Sequence, residues 1–346
     1  MGVSALAQTA LVEPTTRGRH RLVGPARLRL IGIVRLVIAL VVVGVIASRL
    51  AAAARSGDLP ALTTGAVFWL GAALLCTGAA LVFSTIRWQC VLGVLDTTAD
   101  LGRLLHHYAA GQFVGNVLPT TVGGDVLRVA RLGRETDQVP TVFASVVLER
   151  LTGWLVLPAL ILVGLAVNPG LLELGGASTA AVLIALVTLS VLVLLLWAAE
   201  RPRFGGRLLG TSRWRQLLGA VHLGVVSMRQ RPREVVPVLL SAAAYQSAIV
   251  AAAFFAAHAI GIELGPTAFI AFIPAVLVVQ VLPLSISGLG LREGALVLFL
   301  HPLGVSDADA IVLGLLLYAL NLVVSLAGAP SFALGSRLPE AEAVRT

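Results

Sequence analysis

Arg128, Glu149, Arg150, Arg292 and Glu293 lie in or beside long apolar runs. A charge at membrane depth costs about 3 kcal/mol or more unless it is paired or hydrated. Two kinds of chemistry fit these residues. Arginine forks hold phosphate-like anions through paired hydrogen bonds, and the carboxylates would balance them when no anion is bound. Alternatively the same groups are internal ion pairs that fix helix packing. Asn116 falls in the same region, and Gln112, Gln280, Tyr245, Gln246 and Asn321 could line a polar cavity or hydrogen-bond between helices.

Two stretches carry these charges. One reads Val117-Leu118-Pro119, passes through Gly123-Gly124-Asp125, and ends Leu127-Arg128. The other reads Val281-Leu282-Pro283, passes through Gly288-Leu289-Gly290, and ends Leu291-Arg292. Each is Val-Leu-Pro, seven residues containing two glycines, then Leu-Arg. Proline removes a backbone donor and disfavours helix before it, and glycine accepts sharp turns. Pro119, Gly123, Gly124, Pro283, Gly288 and Gly290 are therefore expected hinges of two broken, re-entrant segments. Such backbone survives at membrane depth only against protein or a wet cavity, and a helix N-terminus after the break can hold an anion.

Full spans are expected near 31–53, 63–86, 140–166, 178–198, 236–259 and 309–330, each close to the ~20 residues a crossing helix needs. With the broken stretches near 104–127 and 266–301, this predicts an all-α polytopic membrane protein. It has six full transmembrane helices and two Pro/Gly-broken re-entrant segments, eight membrane segments in all. Three full spans separate the two copies, so re-entrant copies enter from opposite sides as an inverted repeat, an architecture used by transporters. The expected organisation is an Arg-rich cytoplasmic tail at 1–29, a membrane domain at 30–332 and a cytoplasmic tail at 333–346. The run after Leu30 is read as a retained span and not as a signal peptide, because it is long and contains Arg35.

Arginine distribution orients the chain. The stretch from Arg201 to Arg233 carries eight Arg and no acid, whereas the short loops holding Asp58 and Glu173 carry none. Cytoplasmic termini put every strongly basic loop inside, as the positive-inside rule expects. Eight full crossings would move Arg128–Arg134 and Arg201–Arg233 to the other side. The expected location is a bacterial inner membrane.

Other classes are disfavoured. The chain is 58% hydrophobic and 12% charged, too apolar for a soluble fold. All 25 basic residues are arginine, and the excess sits in loops without the aromatic interleaving of single-strand binders, so no nucleic-acid partner is expected. Without lysine there is no phosphate-binding loop of the Gly-Lys type, so ATP is not expected to drive this protein. Cys76 and Cys90 give no disulfide framework, and the adjacent His106 and His107 make a poor chelate. No metal, cofactor or catalytic residue is assigned. Asp96 and Asp100, with His107, are the nearest approach to a transferase cluster and read better as a solvated loop. Asp125 reads as a helix cap, and Arg87-Trp88 as an anchor at a span end.

At these motifs the sequence resembles the lysylphosphatidylglycerol synthase transmembrane-region family of flippase-like proteins. The resemblance is carried by Asn116 to Arg128, by Ala144-Ser145 through Glu149-Arg150-Leu151, and by Leu282-Pro283 through Arg292-Glu293-Gly294-Ala295. It covers roughly residues 30–330. It implies a membrane domain that moves lipids or lipid-linked sugars between leaflets. Larger members add a membrane segment and a soluble aminoacyltransferase domain, neither of which is in this sequence, so lysyl transfer is not expected.

The expected function is non-ATP-driven translocation of an anionic phospholipid or a polyprenyl-phosphate sugar, with a glycosyltransferase as a partner the resemblance implies. The head group would be held by Arg128, Arg150, Arg292, Glu149, Glu293 and Asn116. The alternatives are a membrane-embedded lipid or glycosyl transferase, or an accessory subunit of one.

Overall fold

The structure is a computed structural model and describes residues 64–117, 123–200, 213–281, 288 and 290–333. These residues are helical throughout, with no strand among them. In chain order the helices are α1 (Thr64–Val94), α2 (Leu101–Val117), α3 (Gly123–Glu135), α4 (Val139–Val167), α5 (Gly176–Ala199), α6 (Arg213–Gln230), α7 (Pro232–Ala259), α8 (Pro266–Gln280), α9 (Leu291–Leu300), α10 (Asp307–Leu326) and α11 (Ala329–Ala333). A 3₁₀ turn, Pro169–Leu174, joins α4 to α5.

Composition explains where these helices start. Proline occupies the first turn of α4, α7 and α8, where its missing N–H is not needed. Ser306 caps α10 by accepting from the Asp309 N–H at 3.1 Å, and Asp307 and Asp309 add negative charge to that first turn. Helices α1, α4, α5, α7 and α10 are long and apolar enough to cross a bilayer. They correspond to five of the spans expected from sequence, and the sixth, near 31–53, lies outside the described residues. Their apolar side chains are widely exposed, among them Phe68, Leu75, Leu183, Val187, Leu194 and Trp197. Side chains of this kind belong in hydrocarbon and not in water.

The stretch from Arg201 to Arg233, read from sequence as a basic loop, contains the 18-residue helix α6. Apolar residues such as Leu218, Ala220 and Val221 are buried on one side of it, and it packs on α4 and α5. Helical spacing hides this apolar stripe among arginines, so total charge made the segment look like a plain loop.

Side-chain bonds sort the helix ends into two faces. At one face Arg231 donates to Asp96 at 2.5 Å, Thr97 to Gln138 at 3.0 Å, and Arg229 to Glu200 at 3.2 Å. Arg131 reaches the Ser331 and Phe332 carbonyls beside them. At the opposite end, Asn168 bonds Thr267 at 3.1 Å, and Glu173, Glu263, Asp307 and Asp309 are the acidic groups among the described residues. Helices α2 and α3 pack together, and the start of one and the end of the other lie at the Arg-rich face, where His107 bonds Glu135 at 3.0 Å. Helices α8 and α9 also pack together, and their outer ends lie at the acidic face.

None of these four helices exceeds 17 residues, about 25 Å, so each is shorter than a bilayer core. Where the two pairs meet the long helices, two apolar clusters form. Trp88, Leu92, Leu104, Leu132 and Val142 join α1 to α4, and Phe269, Phe272, Phe299 and Leu313 join α8, α9 and α10.

Candidate functional site

Between these clusters lies a cavity of about 360 Å³. Four arginines and two carboxylates reach its wall: Arg87, Arg128, Arg150 and Arg292, with Asp125 and Glu149. Among the described residues this leaves two more positive than negative groups on the lining.

The ionic end is built around Glu149, which is 1% exposed. Its Oε1 accepts from Arg87 Nη2 at 2.8 Å, from the Tyr108 hydroxyl at 3.1 Å and from Ser84 Oγ at 3.2 Å. Its Oε2 accepts from Arg128 Nη1 at 2.9 Å. Arg128 then donates through Nη2 to Asp125 at 2.6 Å, and the other oxygen of Asp125 is held by Arg150. The result is one line of alternating charge, Arg87–Glu149–Arg128–Asp125–Arg150, running from buried to half-exposed side chains.

Aromatic rings support the buried cations. The Arg128 guanidinium lies 4.2 Å from the Tyr108 ring centre and 4.9 Å from that of Trp88, and Arg87 lies 4.7 Å from Tyr245. Such contacts are worth about 2 kcal/mol when desolvated. Arg87 nevertheless keeps the N–H groups of Nε and Nη1 sealed in the interior without a hydrogen-bond partner.

Two glycines bring Arg128 into position. A methyl group on Gly124 would stand 2.2 Å from the Gly111 carbonyl oxygen, so α2 and α3 touch backbone to backbone. Gly123 and Gly124, expected as hinges, stand in the first turn of α3; Gly124 is there for close approach. Pro119 and Pro283 lie outside the described residues. Gly288 and Gly290 take φ of +75° and +82° just ahead of α9, a conformation that L side chains rarely adopt.

The rest of the lining carries amides, tyrosines and one further arginine, Arg292. Asn321 Oδ1 accepts from Gln112 Nε2 at 2.8 Å and from Asn116 Nδ2 at 3.3 Å, joining α10 to α2. Gln280, Gln246 and Tyr245 also reach the wall. Arg292 lines the cavity from α9, lies 5.4 Å from the Tyr318 ring centre, and pairs with Glu293 at 2.8 Å. Glu293 does not reach the wall; its second oxygen accepts from the Gly290 N–H at 2.6 Å.

A family description, lysylphosphatidylglycerol synthase TM region, matches residues 32–328. The chain belongs to that family. No curated protein matches the chain in sequence. Membership, together with five long apolar helices, makes this a multi-pass membrane protein of the flippase-like class.

Of the family motifs read from sequence, Asn116, Arg128, Glu149, Arg150 and Arg292 stand on the wall of one cavity, and Glu293 braces it from behind. Arg87 corrects the sequence reading. It was expected at the water interface, but α1 continues to Val94 and carries Arg87 into the interior, 4% exposed. Trp88 is likewise buried and donates to Ser145 at 2.9 Å. Asp125 lies within the first turn of α3 and serves as the counter-ion of two arginines, not as the cap expected.

Sequence reading missed Tyr108 and Ser84 in this site. The signal was the Ser84-to-Arg87 spacing, which places both on one helix face. Asp96, Asp100 and His107 do not form a cluster. Asp96 holds Arg231, Asp100 accepts from the Arg103 N–H, and His107 holds Glu135. Among the described residues no group of three or more metal-binding side chains occurs.

Proposed function

We propose that this protein moves a lipid with an anionic head group between leaflets, without ATP, through the arginine-lined cavity. The carrying observation is the line Arg87–Glu149–Arg128–Asp125–Arg150, which lines the cavity together with Arg292. A network that only braced helices would need no cavity with more positive than negative groups on its wall. Here the carboxylates hold the arginines in place, and an entering phosphate takes up donors that they leave open.

The same reading places six full spans and two re-entrant pairs in the membrane. Helices α2 and α3 enter from the Arg-rich face, α8 and α9 from the acidic face, as an inverted repeat does. Eight full crossings would put Arg131 and Ser331 on opposite sides, yet Arg131 Nη1 donates to the Ser331 carbonyl at 3.0 Å. The Arg-rich face is then cytoplasmic in a bacterial inner membrane.

The deciding experiment uses purified protein in liposomes, with fluorescent lipids followed from one leaflet to the other. Phosphatidylglycerol, its lysyl form and a prenyl-phosphate sugar form the panel, with Arg128→Gln and Arg292→Gln proteins alongside. Movement of an anionic lipid that both substitutions slow at least tenfold supports the proposal. Equal rates for wild type and variants, or no movement of any lipid, would overturn it.

A further inference from the structure

Two seams of different chemistry hold the α2–α3 hairpin in the bundle, and only one of them can part at modest cost. On one side the hairpin faces α1 and α4. There Trp88, Leu92, Leu104, Leu132 and Val142 pack as one apolar cluster and are fully buried. Beside them Arg128 pairs with Glu149 at 2.9 Å, also buried. Parting this seam would bare apolar surface and separate buried charges, so it stays shut.

On the other side the hairpin meets α11 and the end of α10, and the contacts are mostly polar. Gln112 and Asn116 donate to Asn321 Oδ1 at 2.8 and 3.3 Å. Arg131 donates to the carbonyls of Ser331 at 3.0 Å and Phe332 at 3.3 Å, and Ser331 Oγ bonds His106 Nδ1 at 3.0 Å. Gly328 brings no side chain. A methyl there would stand 2.0 Å from the Ala109 carbonyl oxygen, so the two backbones touch without interlocking. Phe113 meets Phe332 at 5.9 Å between ring centres, but Phe332 is 44% exposed. Hydrogen bonds like these exchange for water at modest net cost.

Helix α10 is anchored away from this seam. Ala310 and Leu313, nearer the acidic face, sit in the apolar cluster with Phe269, Phe272 and Phe299. Gln112, Asn116 and Asn321 belong both to the seam and to the cavity wall. We infer that this polar seam is the gate on the Arg-rich face: α11 and the end of α10 swing away from α2 and α3, and the cavity opens to that side for the anionic head group. The inference rests on the translocation reading above and names its moving part. Arg131 is the latch, one turn beyond Arg128 on α3. Movement of one part of the bundle against another is how repeat-built transporters expose a central site.

The test uses the full chain in a cysteine-free background, in membrane vesicles that expose the Arg-rich face. Gly115→Cys is the reporter, because Gly115 lines the cavity and has nothing within 4 Å of an added methyl. Its modification by an impermeant, negatively charged methanethiosulfonate is timed by mass spectrometry of its peptide. Arg131→Gln weakens the latch and should speed labelling about tenfold, the worth of one or two lost hydrogen bonds. A disulfide between His106→Cys and Ser331→Cys locks the seam and should slow labelling by a similar factor. A disulfide between Thr97→Cys and Gln138→Cys, whose native side chains bond at 3.0 Å on the apolar side of the hairpin, should change nothing.

Equal labelling of the locked and unlocked protein would overturn the gate. So would equal slowing by the two disulfides, or labelling of Arg131→Gln no faster than that of its parent. The same disulfides in liposomes separate the gate from translocation. Fluorescent phosphatidylglycerol should stop moving in the locked protein and resume once the disulfide is reduced. Labelling that follows the latch while no lipid moves in any state sinks translocation and leaves the gate standing. Lipid movement that continues at full rate in the locked protein does the reverse.

Discussion

Gly124 of α3 meets Gly111 of α2 so closely that an added methyl would stand 2.2 Å from the Gly111 carbonyl oxygen. One turn after Gly124 comes Arg128, whose Cγ would lie 2.9 Å from a methyl on Gly111. Contact between the two backbones therefore sets how far Arg128 reaches toward Glu149. Gly124→Ala has only backbone to push against, so α3 must move. We expect this variant to lose most lipid movement in liposomes, and its melting temperature in detergent to fall. Gly78→Ala, away from the cavity and with nothing within 4 Å of the new methyl, should behave as wild type in both measurements. Equal behaviour of the Gly124 and Gly78 variants would exclude the positioning role.

Glu149 is the single carboxylate joining Arg87 to Arg128. Replacing it with glutamine strands Arg87 in a desolvated interior and leaves Arg128 with Asp125 as its carboxylate, a change that typically costs about 3–5 kcal/mol. Glu149→Gln should express poorly and melt markedly lower. Adding Arg87→Met to Glu149→Gln removes the stranded charge and leaves Arg128 with Asp125. The double variant should regain part of the lost stability, a coupling measurable by a thermal double-mutant cycle. Strictly additive losses would mean that Glu149 and Arg87 are not partners.

Gly153 leaves room for the Arg87 guanidinium, since a methyl there would lie 2.7 Å from Nη1. Nη2 is fixed on Glu149, so the fork can yield only by turning its free edge. Gly153→Ala should leave the chain folded and lower binding of anionic lipids severalfold, without altering any charge. Unchanged lipid affinity by native mass spectrometry would show that the free edge of Arg87 is not used.

Four exposed positions test the membrane topology. In a cysteine-free background, Arg103→Cys and Arg134→Cys should react with impermeant maleimide from one side, and Glu263→Cys and Asp307→Cys from the other. Each pair brackets one of the short-helix hairpins. Full crossings would split both pairs across the membrane.

Much of this arrangement was legible in sequence because its causes are local. Five spans announce themselves as long apolar runs, and the Gly and Arg residues of the two matching stretches stand at or just ahead of the starts of α3 and α9. What was not legible depends on distant pairing. Arg87 and Glu149 are 62 residues apart, and Gln112 and Asn321 are 209 apart. Nothing in either neighbourhood names the other. Arg87 was misjudged because an apolar run ends at Ile86 while the helix does not, its last turns being held by packing of Trp88, Val91 and Leu92. Helix α6 was missed for a related reason, since arginines at its ends outweighed a narrow apolar stripe.

The shortness of α2, α3, α8 and α9 has an electrical consequence. Where four helices shorter than the bilayer core meet around a polar cavity, the insulating layer on the proposed route is thinner than the bilayer, so the membrane voltage falls across a compressed distance. An anion crossing there experiences much of the potential in one short step, about 2.3 kcal/mol per charge for each 100 mV. With a negative cytoplasm, a singly charged head group on the proposed route is driven outward by voltage alone. Liposomes clamped with opposite potassium gradients should show opposite directional bias, and a rate indifferent to voltage would mean that the charge crosses neutralised.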